Sequence, residues 1–134
     1  MKSLSGFLFM EEYIVKVYKD KTEWFNKEGK YHRLDGPAIE YADGYKAWFQ
    51  KGKRHRLDGP AREWSDGSKE WWVEGKKHRI DGPAMEYYNS KEWYIEGKEY
   101  TEEEFLKAIQ PATELTIAEI AKRLGINNLK IVKG

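Results

Sequence analysis

The feature that most constrains this chain is an internal repeat with a period of about 23 residues. Its clearest markers are His32, His55 and His78, which are 23 residues apart, and a Gly-Pro pair follows each of them at the same distance. Three full units cover residues 24–47, 48–70 and 71–92, and a partial fourth unit covers 93–105. A unit this short cannot bury its own aromatic side chains, so the units must stack on their neighbours.

Each unit contains two segments that are typical of short strands. The first starts with an aromatic pair, as at Trp48 and Phe49, and aromatic residues favour the pleated surface of a strand. The second alternates apolar and charged residues and ends in a dipeptide that tolerates the positive φ of a tight hairpin. These dipeptides are Asp43-Gly44, Asp66-Gly67 and Asn89-Ser90. The pattern predicts an antiparallel meander with one apolar face and one charged face that carries Glu40, Glu63 and Glu86.

The flanking segments complete a single expected domain over residues 1–134. An N-terminal segment and half repeat cover 1–23, hairpin repeats cover 24–100, and two short helices with a terminal strand cover 101–134. The first helix starts at a capping-box pattern from Thr101 to Glu104, and a second box starts at Thr116. The expected fold class is mainly β: a stacked antiparallel β-hairpin repeat sheet with a small C-terminal α-helical cap.

The balance of charge limits the classes of partner. The chain has 24 Lys and Arg against 23 Asp and Glu, which gives a net charge of +1. Binding to long nucleic acid or an anionic membrane requires an uncompensated positive charge, so neither is expected. A mean hydropathy of −0.89 with 15% aromatic residues predicts a soluble, folded protein. The absence of cysteine excludes disulfides and thiol catalysis and suits the reducing cytoplasm, where we expect the protein to be located.

The repeat has the signature W(x)GK(x)HRxDGPAxE(aromatic)xDG, and a tail of the form TEEEF…LTIAEIAKRLG…KIVK follows it. Over about residues 15–133, the chain resembles the MORN repeat in its variant, MORN-like form, and is similar to repeats of tailed-bacteriophage proteins. The resemblance implies a β-hairpin array that binds protein or lipid or builds a scaffold. For a small phage protein it also implies a host protein as the partner and inhibition of antiviral defence as the role.

The recurrent HRxDGPA motif has a structural and a functional interpretation. In the structural one, which we favour, the Asp residues accept backbone amides in Asx-type turns, the Pro residues set the start of the second strand, and the Arg residues pair with Asp or Glu. The residues concerned are Asp35, Asp58 and Asp81, Pro37, Pro60 and Pro83, and Arg33, Arg56 and Arg79. In the functional one, the Arg, His and Trp columns form a face for an anionic planar ligand.

Metal binding, DNA binding and catalysis are not expected. Equivalent His residues lie two strands apart, about 9–10 Å, whereas zinc ligands lie about 2 Å from one shared ion. Residues 115–126 are similar to the opening helix of a helix-turn-helix, but the chain after them is too short and strand-like for a recognition helix. No GxSxG elbow or phosphate-binding loop is present. The sequence therefore predicts no enzyme and no cofactor.

The middle unit departs from the repeat in ways that indicate a binding surface. It is the most basic unit, its Arg62 replaces an Ile or Met of the neighbouring units, and its Trp64 replaces a Tyr. Trp and Arg dominate binding hot spots. The predicted binding residues are Arg54, Arg56, Arg62, Trp64, His55, Trp48 and Trp72.

Three functions remain open at this point. The first is non-enzymatic binding of a host protein, which would inhibit an antiviral defence factor. The second is a sponge that sequesters a small nucleotide signal in an Arg and Trp pocket. The third is a structural scaffold that assembles through its sheet edges, whose unpaired backbone groups also favour a homodimer.

Overall fold

The computed structural model of the protein describes residues 12–110 and 117–125. This part of the chain contains thirteen short strands and two helices. The strands are β1 (Ile14–Val17), β2 (Lys21–Phe25), β3 (Ile39–Tyr41), β4 (Lys46–Ala47), β5 (Phe49–Gln50), β6 (Lys53–Arg54), β7 (Arg62–Glu63), β8 (Lys69–Glu70), β9 (Trp72–Val73), β10 (Lys76–Lys77), β11 (Met85–Tyr87), β12 (Ser90–Ile95) and β13 (Lys98–Tyr100). The helices are α1 (Glu102–Ala108) and α2 (Ile117–Leu124).

Nine of these strands form one antiparallel sheet, in the order β1-β2-β3-β4-β7-β8-β11-β12-β13. The remaining four form two separate hairpins, β5 with β6 and β9 with β10. The predicted fold class, mainly β with an antiparallel sheet of many hairpin strands and a small helical segment at the C-terminal end, is confirmed. None of the helices in the described ranges is long and apolar enough to cross a membrane.

The aromatic segment of the inner units differs from the prediction because it is broken into two strands. In the second unit the break falls at Trp48, between β4 and β5, and the Trp48 amide donates to the carbonyl of Ala61 at 2.8 Å. The Trp48 carbonyl accepts from the amide of His55 in its own hairpin at 3.1 Å. Trp48 therefore connects the main sheet to the β5–β6 hairpin, and Trp71 repeats this arrangement between β8 and β9.

The turns that follow the aromatic segments place two consecutive residues at positive φ. Lys51 and Gly52 have φ values of 50° and 81°. This is the type I′ geometry, whose twist matches that of the flanking strands. Similar values recur at the two later turns, Glu74-Gly75 and Glu96-Gly97. The first unit carries an extra residue, Glu28, and its turn is closed by the Asn26 side chain, which accepts from the amides of Glu28 and Lys30.

The tight hairpin predicted at the end of the third unit is present, but it does not use the positive φ that Asn89 tolerates. Tyr87 pairs directly with Ser90, so the turn between β11 and β12 consists of Tyr88 and Asn89, and neither has a positive φ. This unit is one residue shorter than the second, which leaves room for only a two-residue turn. The other two turns of this kind adopt positive φ at glycine, with 101° at Gly44 and 90° at Gly67.

Replacing Lys51 with asparagine is expected to raise the free energy of unfolding by about 0.5 kcal/mol, because Asn tolerates a positive φ better than Lys. The substitution keeps the Lys51 amide, which donates to Nδ1 of His32 at 2.9 Å. Urea denaturation monitored by tryptophan fluorescence measures the change. Lys53→Asn, at a strand position just after the turn, is the control and should give no gain. An equal gain in both variants would contradict the role assigned to the turn.

The register places a row of alternating charges across one face of the sheet. Opposite charges that face one another on neighbouring strands stabilise a sheet. The row confirms the predicted charged face and runs, residue opposite residue, through Glu40, Lys46, Glu63, Lys69, Glu86 and Lys91.

The other face is only partly apolar, in contrast to the prediction. Its central row contains Ile39, Ala47 and Met85, but Arg62 and Glu70 lie between Ala47 and Met85 in the same register. Glu70 is buried although it carries a carboxylate. A buried charge is costly unless it is paired and hydrogen-bonded, so this position needs the partners described below.

Helix α1 covers the end of the sheet, where it packs against β12 and β13 and buries Phe105. The predicted capping box is confirmed: Thr101 Oγ1 accepts from the amide of Glu104 at 3.1 Å, and Glu104 Oε2 accepts from the amide of Thr101 at 2.9 Å. Helix α2 lies where a second helix was predicted. The capping box predicted at Thr116 and the terminal strand predicted at 129–133 fall outside the described residues.

Candidate functional site

The Arg of the HRxDGPA motif stacks on the first Trp of its own unit. In the second unit the Arg56 guanidinium lies 4.0 Å from the centre of the Trp48 ring. Its Nε donates to Asp58 Oδ1 and its Nη1 to the carbonyl of Pro60, both at 3.0 Å. The equivalent stacks are Arg33 on Trp24 at 3.9 Å and Arg79 on Trp71 at 3.8 Å.

The Gly of the motif leaves room for this guanidinium. A Cβ built on Gly59 would lie 2.9 Å from Arg56 Cζ, a distance shorter than Cβ atoms keep from other heavy atoms in proteins. The corresponding distances are 2.9 Å at Gly36 and 3.0 Å at Gly82. None of these three glycines has a positive φ. Glycine here lets the guanidinium approach the backbone closely, and it does not serve a positive φ.

The Asp residues of the motif pair with Arg, which confirms the pairing predicted for the Arg residues. Each accepts from the guanidinium Nε two residues earlier: Asp35 at 2.8 Å, Asp58 at 3.0 Å and Asp81 at 2.7 Å. The hydrogen bond from Arg lowers the pKa of Asp35 and of Asp81. The Asx-type turn predicted for these residues is instead made by Asp43 and Asp66, whose Oδ1 atoms accept from the amides two residues later.

The His of the motif connects each unit to the next. Nδ1 of His55 accepts from the amide of Glu74 at 3.0 Å, and Glu74 is the first residue of the following type I′ turn. The same bond joins His32 to Lys51 at 2.9 Å and His78 to Glu96 at 3.0 Å. The imidazole thus holds the neighbouring hairpin turn in place, and every polar residue type of the motif has a role in building the array.

Two of the predicted binding residues, Arg62 and Trp64, lie together. The Arg62 guanidinium is 4.4 Å from the centre of the Trp64 ring. It also donates to the Tyr45 hydroxyl at 3.0 Å and to Glu70 Oε2 at 3.1 Å. Burial by itself would lower the pKa of Arg62, but the bonds to Tyr45 and Glu70 outweigh it and the net shift is upward. The guanidinium is therefore committed to internal contacts.

Glu70 explains why an Arg stands at position 62. Its side chain is only 6% exposed. Besides the bond from Arg62, it accepts from Trp72 Nε1 at 2.8 Å and from the Tyr87 hydroxyl at 2.7 Å. Burial, followed by the bond to Glu70, raises the pKa of Tyr87. The carboxylate is satisfied by three donors from three strands, and Arg62 supplies its counter-charge.

Arg54 and Trp72 belong to a second row, which consists of aromatic rings and two cations. The Arg54 guanidinium lies 5.6 Å from the Phe49 ring and 5.2 Å from the Trp72 ring. Arg54 Nε is buried and has no hydrogen-bond partner among the residues that the structure describes. The row continues on both sides, and its members are Phe25, Tyr31, Phe49, Arg54, Trp72, Lys77 and Tyr94.

The remaining predicted residues, Trp48, His55 and Arg56, line a groove of about 520 Å³ between the HRxDGPA loops of the first and second units. An equivalent groove of about 660 Å³ lies between the second and third units and is lined by Trp71, His78 and Arg79. The seven residues predicted from sequence are thus distributed over three places rather than one patch.

The rims of these grooves carry aliphatic side chains that were not among the predicted binding residues. Leu34, Leu57 and Ile80 occupy the x position of HRxDGPA and are 55%, 80% and 61% exposed. The Asp that follows each of them is also exposed, with 73%, 89% and 80% of the Asp35, Asp58 and Asp81 side chains accessible. We call these six residues the loop ridge. The sequence contains one signal for these residues, since an aliphatic residue directly precedes the Asp of the motif in each unit.

Within residues 12–110 and 117–125, no group of three His, Cys, Asp or Glu residues is placed to hold a metal ion. A scan against protein-family models, a search of curated proteins and a search of solved structures each found no match to the chain.

Proposed function

We propose that this chain is a non-enzymatic binding protein that attaches to a partner protein through the loop ridge. The observation that carries the proposal is the exposure of Leu34, Leu57 and Ile80 at equivalent positions of consecutive units. An ordered row of exposed apolar side chains, rimmed by polar residues, is typical of a surface that a partner covers. The resemblance to MORN-like bacteriophage proteins supports a host protein as that partner and inhibition of a defence factor as the result.

The internal contacts of the arginines support the ridge over the two other sites considered. Arg62 is held by Glu70 and Tyr45, so the Arg62 and Trp64 patch offers little free guanidinium to a partner. Arg56 and Arg79 each have two carboxylate partners, an Asp and a Glu. A phosphate would have to compete with these carboxylates, which disfavours a nucleotide sponge.

Self-assembly is the second candidate function, and strand β1 favours it. β1 is at the edge of the nine-stranded sheet and pairs with β2. Its residues are all exposed, including Ile14, Val15 and Val17. An exposed apolar edge strand is a template for pairing with another chain. A homodimer through β1 would show as a doubled mass in light scattering, and Val15→Lys/Val17→Lys should abolish it.

Capture from a bacterial lysate with the tagged full-length chain, followed by mass spectrometry for proteins and small molecules, tests the main proposal. The ridge variant Leu34→Ser/Leu57→Ser/Ile80→Ser should lose a stoichiometric protein partner by at least about tenfold. Tyr88→Ser removes a side chain that is 95% exposed outside the ridge, and this control should keep the partner.

Three results would overturn the proposal. A partner that the ridge variant retains but Arg62→Met loses would move the site to the Arg62 and Trp64 patch. A retained nucleotide without a protein would establish the sponge, and a partner-free oligomer would establish the scaffold. Melting curves of each variant exclude loss of folding as the cause.

A further inference from the structure

The geometry of the loop ridge points to one class of partner: an extended, polyproline II peptide segment with a Lys or Arg at every third position. This inference rests on the proposed function, because it names what the ridge binds. It draws on the spacing of the units, the shape of the grooves between them and the charge along the ridge.

The spacing of the ridge matches the pitch of a polyproline II helix. The HRxDGPA loops of the three units lead into β3, β7 and β11. In the sheet, one strand lies between β3 and β7 and one between β7 and β11. Their separation is therefore two strand spacings, about 9.5 Å. A polyproline II helix has three residues per turn and advances about 9.3 Å per turn. Such a peptide presents the same side to every unit, whereas an α-helix, with a pitch of about 5.4 Å, does not.

The grooves supply the surface on which such a peptide docks. Each is lined by a Trp, by the Gly-Pro of one unit and by an aliphatic ridge residue on both sides, as with Trp48 between Leu34 and Leu57. The second groove repeats this with Trp71 between Leu57 and Ile80. Aromatic-lined grooves are the usual recognition surface for polyproline II segments, which lose little conformational entropy on binding.

The charge of the ridge selects basic residues. The Asp side chains are largely exposed, while the side chains of their partners Arg33, Arg56 and Arg79 are only 19%, 23% and 20% exposed. The bond from Arg uses Oδ1 of each carboxylate. An approaching chain therefore meets three carboxylates at the spacing of the units. A cation at every third peptide position meets each of them in turn, and such charge-assisted hydrogen bonds are among the stronger ones.

The test uses the full-length chain and three synthetic peptides of equal length. The periodic probe consists of three consecutive Pro-Pro-Arg triplets. The block control has the same composition, with all of its prolines placed before all of its arginines, and the charge control replaces every arginine of the probe with glutamate. Fluorescence polarisation at low salt should show the periodic probe binding at least about tenfold more tightly than the block control, and no binding of the charge control.

Protein variants separate the ridge from overall charge. Asp35→Asn/Asp58→Asn/Asp81→Asn keeps an oxygen acceptor for each Arg and removes only the charge, so it should lower the affinity for the periodic probe at least about tenfold. Asp20→Asn/Asp43→Asn/Asp66→Asn removes the same number of charges elsewhere and should keep most of the affinity.

Equal binding of the periodic probe and the block control, or equal losses in the two variants, would overturn the inference in favour of unspecific electrostatic attraction. The proposed function has its own readout in the Leu34→Ser/Leu57→Ser/Ile80→Ser variant. A captured protein that depends on these aliphatic residues, together with no preference for the periodic probe, would keep the proposed function and replace the extended peptide with a folded partner surface.

Discussion

Replacing Glu70 with alanine is expected to lower the free energy of unfolding by about 3–5 kcal/mol, the largest effect of any single substitution considered. The variant leaves Arg62 without its carboxylate, and it also removes the acceptor for Trp72 Nε1 and the Tyr87 hydroxyl. The Arg62 side chain is only 23% exposed, and a largely desolvated cation that loses its counter-charge costs more than the pair contributed. Urea denaturation followed by tryptophan fluorescence and by circular dichroism measures the loss.

Two variants show whether the carboxylate network is responsible. Glu92→Ala changes the same position of the next unit, where the side chain is less buried, and should cost under about 1 kcal/mol. Arg62→Ile/Glu70→Ala recreates the Ile39 and Ala47 pairing of the first unit and should be at least about 1 kcal/mol more stable than Glu70→Ala. If Glu70→Ala costs no more than Glu92→Ala, the network does not stabilise the sheet.

Replacing Arg56 with alanine is expected to cost about 2–4 kcal/mol, from the lost stacking on Trp48 and the lost bonds to Asp58, Pro60 and Glu63. Gly59→Ala should cost about 1–3 kcal/mol, because the new Cβ pushes the guanidinium out of its place. Thermal and urea unfolding measure both changes.

The double variant Arg56→Ala/Gly59→Ala decides whether the two effects have one cause. If glycine is needed only to admit the guanidinium, Gly59→Ala should cost close to nothing once Arg56 is gone. Lys53→Ala, at an exposed position of the same unit, is the control and should stay within about 0.5 kcal/mol. A Gly59→Ala cost that is the same with and without Arg56 would show that glycine serves the backbone instead.

Much of the fold could be predicted from the sequence because its signals are local. Hairpin turns, period-2 alternation and the capping box at Thr101 each depend on residues a few positions apart, and they were predicted correctly apart from the φ values of the Asn89 turn and the charged pair within the apolar face. The break of the aromatic segment at Trp48 was not predicted, because it depends on the Trp48 amide and carbonyl bonding to different partners, Ala61 of the main sheet and His55 of the hairpin, which the residue types do not show.

The predicted binding residues stay a prediction, but the sequence could not show how much of each side chain is already used in internal contacts. Arg62 and Trp64 depart from the repeat, which favoured them as binding residues, yet Arg62 is the counter-charge of the buried Glu70. Leu34, Leu57 and Ile80 follow the repeat and were not predicted to bind, yet their side chains are exposed. A residue that departs from a repeat can balance a buried charge inside the protein as easily as it can form a binding surface.

The sequence by itself determined the repeat, its hairpins and the residue types in each column, because these follow from backbone preferences and spacing within one unit. Only the tertiary structure decided which polar groups bond to other residues of the protein and which remain available to a partner. The bonds that settle this join residues of different units, such as Arg62 to Tyr45, 17 positions away, and His55 to the amide of Glu74, 19 positions away. Stacking one unit on the next creates these contacts, and it leaves the loop ridge facing solvent.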